Sequence, residues 1–513
     1  MEFPDRQTVI VIGDFKLDRR PFTERNSSIY PCSLADAPAY FNHAKAVVVA
    51  CSPNGLGLLR ECCAKIFPIA EDHGLALATI VQSDEEFLQA EAIQREYKEI
   101  AGSKVFVLSA LANAAEYIVR HRVGPSPADL KIEPPTIKLG EEIITLDEHE
   151  ILLLRRAFYD CDRIHLEPLG GGKMSMKVFR VQAWMKQSEV GPLPLPFFVK
   201  FATPLEVAVE KGNYRQFAEH YIPFNLRPNI DRRRCVKTRS KAALVGNFVD
   251  DAVPLRDALQ IAYGIGSIFS LFETTLKGFR LQPFAAGKKA EKGQLESYIK
   301  ARIKIDELLA KPEVIANAKK HGLLMSPVEL HDRICAAAHP LASIFGPNHN
   351  DLHSGNVMVR GGDAILIDFG STSHGPLTAD PATLEASLMC GTDSSEKEGD
   401  FLEWKQFIDE IYGPHLLTLH PPALFETRPG KYLWLRRSLR ELRHVLFACA
   451  ATSQEARVVL AALMMRYARL DIESLSTPAA KLLAFDRHCY ALVIAERIVK
   501  SFDVFPREQG TSA

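Results

Sequence analysis

The segment Asn348–Val359, NHNDLHSGNVMV, brings His349, Asp351, His353 and Asn356 close together in the chain. Shortly after it comes Ile365-Leu366-Ile367-Asp368-Phe369-Gly370, an apolar run ending in an acid and a glycine. Phosphoryl transfer needs an acceptor hydroxyl that is oriented and relieved of its proton, and Mg²⁺ held against the phosphates. One Asp with a following Asn on a tight loop, plus a second Asp beyond a hairpin, supplies those groups. His349-x-Asp351-x-x-x-x-Asn356 followed by Asp368-Phe369-Gly370 fits in order and spacing. A metal-dependent hydrolase is the competing chemistry, because His349, Asp351 and His353 alternate like ligands. It would need further ligand clusters, and His331-Asp332 and His374 are isolated. A structural turn is the bland reading. A bare His-x-Asp occurs often by chance, whereas the full combination with Asn356, apolar flanks and Asp368-Phe369-Gly370 is much rarer.

These residues resemble the catalytic core of the protein-kinase-like fold, in the branch of aminoglycoside phosphotransferases and choline kinases. That branch shows H-G-D-L-H-x-G-N, and His349-Asn350-Asp351-Leu352-His353-Ser354-Gly355-Asn356 departs from it only by Asn350 for glycine. The resemblance implies that Asp351 is the catalytic base, that Asn356 and Asp368 hold Mg²⁺, and that His349 braces the loop. His353 stands where protein kinases carry Lys, which points to the small-molecule branch. No A-P-E follows Gly370, and Asp380 resembles the acid that opens the next helix and supports the loop.

Such a site requires a nucleotide-binding lobe upstream. Leu166–Val181 reads as strand, glycine turn, strand. Gly170, Gly171 and Gly172 would let the backbone approach phosphate, although a plain hairpin turn fits equally well. In Phe197–Phe201 a single Lys200 interrupts an apolar strand; it resembles the lysine that contacts the α- and β-phosphates. Thr203-Pro204-Leu205-Glu206 reads as a capping box, which accounts for Glu206. Glu210, one turn further in, is then the better partner for Lys200, with Glu219 a third choice. The cationic run Asp231–Lys241 reads as a solvated hairpin or an anion-recruiting patch, and Ala242–Phe248 as the last strand before the interlobe hinge.

Ahead of that lobe, short apolar runs alternate with amphipathic stretches: Thr8–Gly13, Ala44–Ala50, Ala76–Val81 and Lys104–Leu108, separated by helical segments such as Gly57–Ala70 and Asp84–Glu99. This pattern predicts an α/β doubly wound domain over residues 1–122. It resembles a flavodoxin-like receiver module that has lost its phospho-acceptor: Asp14 supplies one acid, but Cys51-Ser52 follows the third strand and Ser109 the fifth. Such a degenerate module implies a sensor or a protein-docking role. Residues 123–149, rich in proline and polar groups near Val123–Pro135, read as a linker. The expected α+β bilobal kinase-like fold then comprises an N-lobe over 150–250 and a C-lobe over 251–513, ending in the helices Leu433–Ala450, Ser453–Leu470 and Lys481–Phe502.

Composition bounds the alternatives. Lys plus Arg (62) nearly cancels Asp plus Glu (63), for a net charge of -1 over 513 residues, so no basic footprint calls for nucleic acid. No signal-like start or membrane-length apolar run is present, which predicts a soluble cytoplasmic protein with no membrane association. The ten cysteines show no C-x-x-C spacing and read as buried small hydrophobes. ATP and Mg²⁺ are the implied cofactors, and a hydroxyl-bearing small molecule the implied acceptor. A catalytically idle, nucleotide-binding scaffold is the non-enzyme alternative, opposed by the retention of Lys200, Asp351, Asn356 and Asp368.

Overall fold

The computed structural model describes residues 8–13, 17–53, 55–97, 103–121, 125–133, 137–139, 142–169, 177–186, 193–261, 264–392, 396–397, 399–413, 430–470 and 478–502. The chain divides into two compact units, Met1–Val207 with Ile230–Phe248, and Ala208–Asn229 with Val249–Ala513.

Among the described residues the first unit holds two large sheets and one two-stranded sheet. Strands β1 (Thr8–Gly13), β2 (Ser28–Cys32), β3 (Ala44–Ala50), β4 (Ala76–Val81) and β5 (Ser103–Val107) form a wholly parallel sheet in the order β2-β1-β3-β4-β5. Successive residues alternate between its faces. Ile10, Ile12, Val47 and Val49 join one buried cluster, whereas Val9, Val11, Ala46 and Val48 join another. Covering on both faces is why β3 and β4 are apolar at nearly every position. The sequence reading missed β2. Its residues SIYPC are partly exposed and include Pro31, which a sheet tolerates at an edge. The helix expected over Gly57–Ala70 is in fact two, Leu56–Lys65 (α1) and Phe67–Asp72 (α2); Pro68 has no N–H to donate to the Ala64 carbonyl, which interrupts the ladder there. Helix α3 (Asp84–Glu96) is capped by Ser83, whose hydroxyl accepts from the Glu86 amide.

Residues 123–149 are not a plain linker. Within them, β6 (Lys131–Glu133) pairs parallel with β9 (Cys161–Pro168), and β7 (Ile137–Leu139) pairs with β8 (Glu142–Ile144). Helix α4 (Glu148–Ala157) starts inside the stretch on a capping box made by Asp147 and Glu150. Together with β10 (Lys177–Met185), β11 (Leu195–Ala202), β12 (Val236–Lys237) and β13 (Ala242–Asn247), strands β6 and β9 build a six-stranded sheet in the order β12-β13-β11-β10-β9-β6, while β7 and β8 form a separate pair. The cationic run does form a hairpin, with β12 pairing antiparallel to β13, and Arg232, Arg233 and Lys237 are exposed on it. Two of its cations are committed to carboxylates instead: Arg234 is buried and pairs with Asp160 at 2.7 Å, and Lys241 reaches Glu150 at 2.6 Å.

The second unit is mainly helical. Helix α5 (Pro204–Asn213) runs from the first unit into it, beginning on the expected Thr203–Glu206 capping box. Later helices include α6 (Gln294–Ile303), α7 (Ala379–Cys390), α8 (Leu433–Cys449), α9 (Ser453–Arg469) and α10 (Pro478–Lys500). Every residue of α7 is buried, as is Glu455–Ala468 of α9, so these two form the centre of the unit. Among the described residues no helix is long and apolar enough to cross a membrane. Most cysteines are buried and all ten are free, Cys32 and Cys235 being only partly buried.

Candidate functional site

Within the second unit, strand β14 (Val253–Pro254) pairs with β16 (Val357–Arg360), which forms a hairpin with β17 (Asp363–Leu366). The hairpin turns at Gly361 and Gly362, with φ of 60° and 93°, values that glycine adopts without strain. A separate pair joins β15 (Phe345–Asn348) to β18 (Ser373–Pro376), with Asn348 opposite Ser373. Loop 349–356 therefore leaves β15 and enters the hairpin, while Ile367–Thr372 leaves the hairpin and enters β18. The two segments run together. The Ile367 amide donates to the Asn356 carbonyl at 3.0 Å, and His349 Nε2 donates to the Ile367 carbonyl at 3.0 Å.

Asp380, in the first turn of α7, holds the start of the loop. Its carboxylate accepts from the backbone amides of His349 (2.8 Å) and Asn350 (2.9 Å). Burial, the largest influence, pushes the Asp380 carboxyl above its usual range, against the pull of His349 and those amides. Asn350 has φ of 63°, the left-handed region. Asparagine, unlike most residues, tolerates that region, so it can stand where the family pattern has glycine. Its side chain then adds ties that glycine could not. Nδ2 donates to Ser373 Oγ (2.9 Å), and Oδ1 accepts from Tyr298 of α6 (2.9 Å). Gly375 permits this, because a Cβ there would lie 3.1 Å from both Asn350 Oδ1 and the Tyr298 ring.

The candidate chemical groups follow. Asp351 is partly exposed, and its Oδ1 accepts from Arg466 Nη2 of α9 at 2.6 Å. Burial pushes its carboxyl up, but the charges of Arg466 and His353 and the Arg466 hydrogen bond outweigh this and hold it below the usual range. Burial holds the His353 imidazole below its ordinary value despite Asp351. Nδ1 of His353 accepts from the Gly355 amide at 3.1 Å, which puts the proton of the neutral ring on Nε2. The buried Asn356 donates Nδ2 to the Asp351 main-chain carbonyl at 2.9 Å, leaving its amide oxygen available as a ligand. Asp368 is exposed, with φ of 58°. An amide oxygen and a carboxylate are hard donors of the kind Mg²⁺ takes, with waters and phosphates filling the remaining positions.

Around Asp368, Phe369 is buried against the rings of His349 (5.8 Å) and Tyr214 (5.4 Å). Asn213 of α5 donates to the carbonyls of Phe369 (3.1 Å) and Gly370 (3.0 Å). Glu210, one turn earlier in α5, is buried with Oε2 3.9 Å from where a Cβ on Gly370 would lie. Glu206 is occupied in the cap, and Glu219 opens the short helix Glu219–Tyr221. In the first unit, Lys200 on β11 is buried. Gly170, Gly171 and Gly172 lie outside the described residues, as does Asp14. His349 and His353 do not converge with Asp351 as ligands, since His349 Nε2 is bonded to a carbonyl. Among the described residues, no three His, Cys, Asp or Glu side chains are grouped to hold a metal. Arg466 and Tyr298 escaped the sequence reading, because they sit far from the motif in helices without any distinguishing pattern.

The sequence model of the phosphotransferase enzyme family (APH) matches residues 279–408, a stretch that includes the loop, Asp368 and Asp380. Curated proteins gave no match. Among solved structures, the chain is similar to a thermostable mutant of aminoglycoside phosphotransferase APH(4)-Ia in ternary complex with ADP and hygromycin B. Identity is 14% over 67% of this chain and 95% of that chain, with a TM-score of 0.38. It is similar also to a choline/ethanolamine kinase family protein from Mesorhizobium loti (13% identity, 66% of this chain, 92% of that one, TM-score 0.36). The choline kinase of Cryptosporidium parvum gives 12% identity over 66% of this chain and 89% of that one, TM-score 0.33.

Proposed function

We propose that this chain is an ATP- and Mg²⁺-dependent phosphotransferase of the aminoglycoside phosphotransferase type, moving the γ-phosphoryl group to a hydroxyl on a small molecule. The observation that carries this reading is the pair of joined segments in the second unit. Asp351 and Asn356 lie on a loop fastened by Asp380, and Asp368 follows on the segment bonded to that loop. In this reading Asp351 orients the acceptor hydroxyl and receives its proton as the bond to phosphorus forms. Asn356 and Asp368 would hold Mg²⁺, which when bound offsets negative charge on the phosphates. Lys200 would position the α- and β-phosphates, with Glu210 as its partner and Gly170, Gly171 and Gly172 as further phosphate-binding candidates. His349 braces the loop through its bond to Ile367 and its contact with Phe369. His353, partly buried, follows Asp351 on the loop.

The parallel-sheet region at the N-terminus is proposed as a degenerate receiver-like module with a sensing or protein-docking role, in a cytoplasmic protein. The site is tested by MgATP binding and by turnover against a metabolite pool with labelled ATP. In Asp351→Asn, affinity for MgATP should stay within about twofold while turnover falls by roughly 100-fold or more, the usual scale for a positioned base. Unchanged turnover rejects Asp351 as the base. Wild-type protein that binds MgATP but phosphorylates nothing points to the nucleotide-binding scaffold instead.

A further inference from the structure

Oδ1 of Asp351 is already engaged, by Arg466 Nη2 at 2.6 Å. Arg466 lies in the last turn of α9, a helix buried along nearly its whole length, and is itself only 9% exposed. Such a side chain cannot follow a wandering carboxylate; its position is set by helix packing. A second grip on the loop comes from α7, where Ser387 Oγ accepts from the Ser354 amide at 3.0 Å. Stability alone gives a poor account of the arginine. Among the described residues its Nη1 is buried without a hydrogen-bond partner, and an ion pair whose carboxylate is partly exposed contributes little to stability. What the arginine supplies is direction. A carboxylate on a loop rotates about its side-chain torsions unless one oxygen is held.

We infer that Arg466 is a positioning residue: by taking Oδ1 of Asp351 it fixes the carboxylate's rotation and leaves Oδ2 for the acceptor hydroxyl. The inference rests on the reading of Asp351 as the base. The opposite role, in which Arg466 masks the carboxylate and restrains the enzyme, predicts the opposite kinetics.

The experiment compares wild type, Arg466→Met, Arg466→Lys, Asp351→Asn and the double variant Asp351→Asn/Arg466→Met. The probe is MgATP hydrolysis with water as acceptor, and crystal structures of wild type and Arg466→Met provide a readout independent of turnover. Loss of orientation should lower kcat of Arg466→Met by about 10- to 100-fold, with KM for MgATP within about twofold. Arg466→Lys should recover part of the rate, as an ammonium keeps the charge but not the planar geometry. In the double variant the Arg466 change should cost nothing beyond Asp351→Asn, because the two act as one unit. In the crystal, Asp351 of Arg466→Met should occupy a different rotamer or several. A wild-type or raised kcat overturns the inference, and so does an unmoved Asp351. If Arg466→Met does not fold, Arg466→Lys carries the test, and a wild-type kcat there is equally fatal. Should Asp351→Asn turn over like wild type, the base assignment fails by itself, while the Asp351 rotamer still reports on Arg466.

Discussion

At residue 350 one side chain does what two different residues would otherwise share. The backbone needs a left-handed turn, which glycine would supply, and the loop needs anchoring, which glycine could not. Asparagine meets both needs. Asn350→Ala should therefore be costly on both counts: about 1 kcal/mol for alanine in that conformation and about 1–2 kcal/mol for the lost bonds to Ser373 and Tyr298. Asn350→Gly should lose only the second part. Denaturant midpoints of the three proteins check the order, wild type above glycine above alanine; an alanine variant as stable as the glycine one would remove the backbone argument.

At the scale of elements, the site depends on how α7 meets the β15–β16 connection. Asp380 lies in a helix whose every residue is buried, and it spends both carboxylate oxygens on loop amides. Removing it leaves two buried amides without acceptors, each costing roughly 1–3 kcal/mol. Asp380→Ala is thus expected to lose about 3 kcal/mol in chemical denaturation, and its MgATP turnover should fall even where the protein remains folded. Asp380→Asn, which keeps one acceptor oxygen, should fall between. A variant that is destabilised with undiminished kcat would make Asp380 a packing residue only.

At the scale of the molecule, the two large sheets of the first unit are joined through buried polar contacts. Arg156 of α4 is almost wholly buried and donates to the carbonyls of Asp72 (2.6 Å) and Lys237 (2.9 Å), while Asp72 accepts from the Arg239 amide at 2.7 Å. Burial, the largest influence, depresses the Arg156 guanidinium to about 10, still charged at neutral pH. A charge buried this way relies on those carbonyls. Arg156→Met should consequently loosen the parallel sheet from its neighbour, and deleting residues 1–122 should destabilise the six-stranded sheet rather than leave it intact. Thermal melts and limited proteolysis of both proteins measure this; a truncated chain that melts like the full one would show the sheets to be independent.

What sequence alone determined here was local. Strands β1, β3 and β4 were legible end to end because burial on both faces makes them nearly continuous apolar runs. The Thr203–Glu206 cap was legible because it is a contact between near neighbours. The loop residues stood out because His-x-Asp with a following Asn and a nearby Asp-Phe-Gly is a rare combination within a short stretch. Tertiary structure decided the rest. The exposed edge strand β2 has little apolar signal, and strand β6 inside the expected linker gains its identity only by pairing with β9. The cations of Asp231–Lys241 were readable as charge, but the commitment of Arg234 to Asp160 and of Lys241 to Glu150 depends on distant segments. So does the bond from Arg466 to Asp351: it joins residues 115 positions apart, and helix packing, not spacing, puts the guanidinium beside the carboxylate.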